Sequence, residues 1–180
     1  MEKERCKILC FEYIIYSLIK WHKELYPQQE HVELFTRLKS LKLLFLVSAV
    51  EASASSEGLL DIFDKFYAMQ HGPVESDIYN AMVTSTTCMY DFKERETSIK
   101  NGDIQVFSQI PKELKEKIDH SILSLKEKNA SIVWYKSFDL VEITHKWESW
   151  RVAISIAKIF GKGSELMSTE SIKNDLKYFS

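Results

Sequence analysis

Two histidines in this 180-residue chain have neighbours that could do chemistry. His71 stands directly before Gly72-Pro73, where an imidazole could act as a general base. His145 stands three residues before Glu148, a spacing that can place two metal ligands on one helix face. A metal there would need further ligands from the scattered His22, His31, His71 or His120. Cys6 and Cys10 lie one helical turn apart and could hold a soft metal, but they sit in an apolar helix pattern and read first as core. Gly161-Lys162-Gly163-Ser164 is superficially a phosphate loop; it lacks the opening glycine and follows a helix pattern where a strand is required. Lys93, Arg95 and Lys100 could touch phosphate, yet Asp91, Glu94, Glu96 and Asp103 interleave with them and cancel most of the field. Trp147 and Trp150, three apart beside His145, would project neighbouring indoles from one helical turn, as core residues or as partner anchors. None of these supplies a nucleophile with its base, a metal set or a phosphate cradle at a specific spacing. The sequence therefore predicts no enzyme, no catalytic residue, no metal and no cofactor.

The elements that must position these residues are mostly helical. Ile8, Leu9, Phe11, Ile14, Ile15, Leu18, Ile19 and Leu25 recur at helical spacing from Lys3 to about Tyr26, and Pro27 stops the run. A second helix from about Glu30 turns Val32, Leu34, Phe35, Leu38, Leu41, Leu44, Phe45 and Val47 inward, is apolar enough on several faces to be central, and ends in Ala52 to Ser56. That small-residue cluster with Glu57-Gly58 reads as a loop, and Leu59 to Met69 as a short helix or an extended segment. Gly72-Pro73 breaks the chain between two elements, with Pro73 placed to open a helix that runs from Glu75 to about Met89. Asp91 to Gln109 is an irregular insertion or β-hairpin, with a strand expected near 103–108. Helices follow at Lys112 to about Lys128, from an N-cap at Ser137 through Thr144, and from about Ser149 to Phe160 with Gly161 as the stop. A last helix from Ser168 should bury Ile172, Leu176 and Tyr178 or Phe179.

With 45% hydrophobic residues the chain can bury one core, and two cores would each be small, so residues 1–180 read as one compact multi-helix domain, mainly α. Its 24 basic against 26 acidic residues give a net charge of -2, which removes the simple electrostatic case for nucleic-acid binding. The longest apolar run, Leu43 to Val50, is far short of the ~20 residues that span a bilayer. Glu12 and Lys20 interrupt any secretory signal, so a cytoplasmic protein is expected, with its three cysteines reduced.

Three separated segments resemble one family. Lys42-Leu43-Leu44-Phe45, then Gly58-Leu59-Leu60 with Phe63, then Phe66-Tyr67-Ala68-Met69-Gln70-His71-Gly72-Pro73-Val74 with Tyr79, resemble the motifs of the Panacea domain, the SocA-like antitoxin domain often found in phage-associated proteins. Downstream, Ile143-Thr144-His145-Lys146-Trp147-Glu148-Ser149-Trp150 is similar to the family's Leu-Thr-His-x-Glu-x-Pro-Trp signature. Met69 stands where a tryptophan is usual, Trp147 at an acidic position and Ser149 at the proline. The resemblance implies a bacterial antitoxin that neutralises a cognate toxin, encoded beside it, by direct binding. Its candidate partner-binding residues are His71, Gly72, Pro73, Val74, Tyr79, Thr144, His145, Trp147 and Trp150. Two alternatives are an adaptor that delivers a partner to a protease, and a hydrolase or metal enzyme using His71 and His145. The two signature segments are expected to meet in space.

Overall fold

The structure, a computed structural model, describes residues 2–25, 27 and 31–180. The first helix, α1 (Glu2–Leu25), buries Phe11, Ile14, Ile15 and Leu18 along the stripe their spacing defines. The expected ends at Tyr26 and Glu30 lie outside the described residues. The second helix, α2 (Arg37–Ala49), starts later than its apolar spacing suggests, because Thr36 caps it by accepting a hydrogen bond from the Lys39 amide at 3.3 Å. Leu34, expected inside, precedes that cap and is exposed. From Lys39 to Ala49 every residue of α2 is buried, so this helix is the central element.

After α2 comes a minimal hairpin, β1 (Ala52–Ser53) and β2 (Ser56–Glu57), where a loop was expected. The chain then enters β3 (Phe66–Met69) and returns as β4 (Gly72–Glu75), antiparallel, with Ala68 opposite Pro73 and Met69 opposite Gly72. Gly72-Pro73 therefore does break the chain between two elements, but Pro73 lies in a strand and opens no helix. It is tolerated because β4 is an edge strand that needs no amide from it. The helix α3 (Ser76–Val83) starts three residues on, capped by Glu75, whose carboxylate accepts from the Ile78 amide at 2.9 Å. It ends well before Met89.

Residues 90–99 form the anticipated hairpin, β5 (Tyr90–Phe92) with β6 (Thr97–Ile99). The strand expected near 103–108 is instead a 3₁₀ helix over Ile104–Gln109, started by Asp103, whose side chain accepts from the Gln105 amide at 2.9 Å. Then follow α4 (Lys112–Lys128), a 3₁₀ turn at Ile132–Trp134, α5 (Ser137–His145) and α6 (Glu148–Ile159). Ser137 is the first helical residue of α5 and Lys136 its cap. Gly161, at φ 64°, stops α6 as expected. A two-residue strand, β7 (Glu165–Leu166), adds to β3 and gives the sheet order β4-β3-β7. The final helix, α7 (Thr169–Asn174), is capped by Ser168 and buries Ile172; Phe179 is buried after it, while Leu176 is exposed.

The fold is mainly α with a few short strands. One hydrophobic cluster runs from Leu9 to Phe179 around α2. Among the described residues no helix is long and apolar enough to cross a membrane.

Candidate functional site

The β3–β4 hairpin lies against three helices, and a lysine from the central one anchors it. Lys42 of α2 has no exposed surface, and its ammonium nitrogen donates to the Pro73 carbonyl. Burial drives its pKa down to about 7, since no carboxylate offsets the loss of water. Gly72 sits over it at φ 91°; a Cβ there would lie 2.5 Å from Thr144 Oγ1 and 3.1 Å from Lys42 Nζ. Thr144, on the last turn of α5, is itself buried and donates to the Val141 carbonyl at 2.9 Å. Glycine is required at this joint twice over, by its backbone angle and by the close approach of α2 and α5.

The next residues in each segment continue the contact. His145 stacks on Trp150 with ring centroids 3.8 Å apart and planes at 11°. The Trp150 indole N–H donates to the Met69 carbonyl at 3.0 Å, which ties α6 to the tip of the hairpin. Burial holds the His145 pKa below the ordinary histidine value, against the opposing pull of Glu142 and of a hydrogen bond to the Gln70 backbone. Its Nε2 is buried without a hydrogen-bond partner among the described residues. His71 is exposed at the turn and meets Phe138 edge-on at 5.9 Å. The two signature segments thus meet, and they bring Gly72, Pro73, Thr144, His145 and Trp150 together with His71 at the rim.

Three other predicted residues go elsewhere. Trp147 is wholly buried, edge-on to Phe45 at 4.8 Å, with its N–H donating to the Tyr178 carbonyl at 3.2 Å and the Lys177 ammonium 5.0 Å over its ring. It packs the chain's C-terminal segment onto α2, so the indole offers nothing to a partner. Val74 is buried, and Tyr79 is half-buried beside it, where both line a shallow depression with Met69 on another face of the hairpin. The departures from the family signature also have local explanations. Ser149 supplies an amide that a proline would lack, and with the Glu148 amide it donates to the Asp175 carboxylate, at 2.7 and 3.1 Å, capping α6.

The metal readings find little geometry. His22 and His31 are both buried and face each other, Nδ1 to Nδ1 at 2.6 Å, with His22 stacked on Trp134. His120 lies 3.5 Å from Glu51, on an exposed part of α4. Cys10 is buried, and burial with the neighbouring Cys6 pushes its thiol up to about 12. Among the described residues, the one grouping of three metal-capable side chains is Asp64, Glu75 and Asp77. The Lys7 ammonium already occupies its centre, at 2.9, 2.5 and 2.8 Å from the three carboxylates. A divalent cation would have to displace a lysine that is already the neutralising charge.

Sequence reasoning missed two buried charged side chains, Lys42 and Glu12, as working parts. Lys42 was read as part of a motif; its signal was a single charged residue inside Leu41-Lys42-Leu43-Leu44, where every neighbour is core. Glu12 was read only as an interruption of an apolar run. It is fully buried and accepts from the amides of Cys88, Met89 and Tyr90 at 2.9, 2.6 and 3.0 Å, fixing the start of the β5–β6 hairpin to α1.

No curated protein and no solved structure matches the chain. A family model does, described as antitoxin SocA-like, Panacea domain, over residues 41–151. That span opens one residue before Lys42 and closes one residue after Trp150, so it contains the whole joint just described. By that match over more than half its length, the chain belongs to the antitoxin SocA-like, Panacea domain family.

Proposed function

We propose that residues 1–180 act as one domain, the antitoxin of a toxin–antitoxin pair, and that the chain suppresses a cognate toxin by binding it directly, without catalysing a reaction. The observation that carries this reading is the family match across 41–151, whose most specific motif residues converge on one joint. In that joint Lys42 and Trp150 donate to the hairpin carbonyls of Pro73 and Met69, and Gly72 packs closely against Thr144, which suits a rigid presenting surface. His71, His145 and Trp150 retain solvent-facing area there, next to the exposed Phe138, and are the candidate contacts on this side of the molecule. Gly72, Pro73, Val74 and Thr144 hold those contacts in place.

The test is bacterial growth with the neighbouring reading frame induced alone and together with this chain. Growth arrest by the neighbour, relieved by this chain, supports the reading. An arrest that persists while this chain is expressed in folded, soluble form defeats that pairing. Within a working pair, Trp150→Ala that melts like the parent yet no longer relieves arrest would place the partner on the hairpin side.

A further inference from the structure

The outward face of α6 is apolar and bare. Val152, Ile156 and Ile159 recur at i, i+4 and i+7, and Phe160 ends the row; all are exposed, Ile159 and Phe160 at 78% and 70% of their full surface. The helix already has an inward face, made of Ala153, Ile154 and Ala157. It is therefore apolar on two sides, where a helix at the edge of a domain normally keeps one polar. One flank of the row overlooks a groove between α6 and α7, with Leu166 of β7 on the wall and Met167 beneath. Ser149 lines the same groove at 6% exposure, and its hydroxyl is buried with no hydrogen-bond partner among the described residues. On the other flank stand Arg151 and Lys158, both exposed and neither in an ion pair among the described residues.

We propose that this face docks an amphipathic helix of the cognate toxin, laid along α6 with apolar side chains over Val152, Ile156 and Ile159 and acidic residues toward Arg151 and Lys158. The inference rests on the antitoxin reading above and adds to the hairpin side a second place of contact and the chemistry of the partner there. A row at i, i+4, i+7 presents a ridge that fits the groove of another helix. The two unpaired cations outnumber the one carboxylate beside the row, Glu148, so they favour an acidic partner and would speed its encounter. They also argue against a second copy of this chain. In an antiparallel pairing about a twofold, which helix dipoles favour, both cationic flanks fall on the same edge and four like charges meet. The family match ends at Arg151, one residue before the row begins, as suits a surface specific to one partner.

The probe is the purified product of the neighbouring reading frame, with affinity measured at two salt concentrations alongside the growth assay. Val152→Asp with Ile159→Asp changes only exposed positions, so the melting temperature should hold while affinity falls about a hundredfold and arrest is no longer relieved. Arg151→Glu with Lys158→Glu should weaken binding about tenfold and flatten its salt dependence. A folded apolar variant that binds and rescues like the parent overturns the docking face and leaves the antitoxin reading standing. Failure of the parent itself to bind or rescue defeats both. If the apolar variant does not fold, the charge-reversed one decides, and unchanged affinity with unchanged salt dependence overturns the proposal. A parent that sediments as a dimer and an aspartate variant that sediments as a monomer would give this face to a second copy, and overturn it as well.

Discussion

Strand β4 is held at its two ends by two buried lysines in opposite electrostatic settings. At Glu75, Lys7 reaches from α1 into three carboxylates; burial pulls its pKa down, but hydrogen bonds to Asp77, Glu75 and Asp64 outweigh that and raise it above the ordinary lysine value. At Pro73, Lys42 reaches from α2 to a single carbonyl, and burial alone brings it down to about 7. Lys7 is an ion that its neighbours require. Lys42 is a long, thin hydrogen-bond donor whose charge the fold does not need. The two ends of one four-residue strand are thus fixed by an ion cluster and by a single hydrogen bond from a lysine whose pKa burial lowers.

Removing each ammonium while keeping the chain's length breaks this comparison most directly. Lys7→Met leaves Asp64, Glu75 and Asp77 facing one another around an empty centre. Breaking a buried ion pair on one side costs roughly 3–5 kcal/mol, and because Asp64 and Asp77 keep some solvent, about 3 kcal/mol is expected here. Lys42→Met removes a costly buried charge and one hydrogen bond of about 1 kcal/mol, so stability should stay within about 1 kcal/mol of the parent. Chemical denaturation of the two variants reads both numbers. Equal losses would mean that the two lysines do the same job.

Gly72→Ala sharpens the comparison at the Lys42 end. The new methyl would sit at φ 91° and 2.5 Å from Thr144 Oγ1, a strain of about 2 kcal/mol. Thr144→Ala in the same chain takes away the close oxygen, so the double variant should lose less than the sum of the two singles. Strict additivity in the denaturation midpoints would show that the backbone angle alone carries the cost.

Much of this was legible in the sequence, and the failures share a cause. The helices α1 and α4 follow from apolar spacing, because each has one stripe that local order can set. The β3–β4 hairpin did not follow. Gly72-Pro73 announces a break equally well before a helix or within a hairpin turn, and only the distant Thr144 and Lys42 decide between them. Strand β7, two residues long, exists because β3 has an edge to offer 97 positions earlier, at Ala68. Ile104, Val106 and Phe107 look like a strand, but Asp103 caps a 3₁₀ helix there and buries only Phe107. The meeting of Gly72-Pro73 with Thr144-His145 was readable through family resemblance. That Trp147 turns into the core while Trp150 ties the hairpin was not, since the two indoles differ only in which neighbours arrive from residues 69 and 178.

A pH dependence separates the two lysines by sign. An unfolded lysine titrates near 10.5, whereas folded Lys42 releases its proton at about 7. Between these values the unfolded chain binds the extra proton, so the Lys42 contribution to stability must rise with pH across about 7 to 10.5. Lys7 behaves in reverse. Its folded pKa lies above 10.5, so its contribution is complete throughout that window and is lost only at higher pH. Lys39, brought down to about 8 by burial, adds a rise of its own, while the buried Cys10 thiol, pushed up to about 12, adds a fall. The useful quantity is therefore the parent's stability minus that of Lys42→Met, measured at pH 7, 8.5 and 10, in which those background groups cancel. The difference should grow more positive with pH. A flat difference would mean that Lys42 keeps its charge in the folded chain, and that some group facing it neutralises an ammonium the fold otherwise leaves alone with one carbonyl.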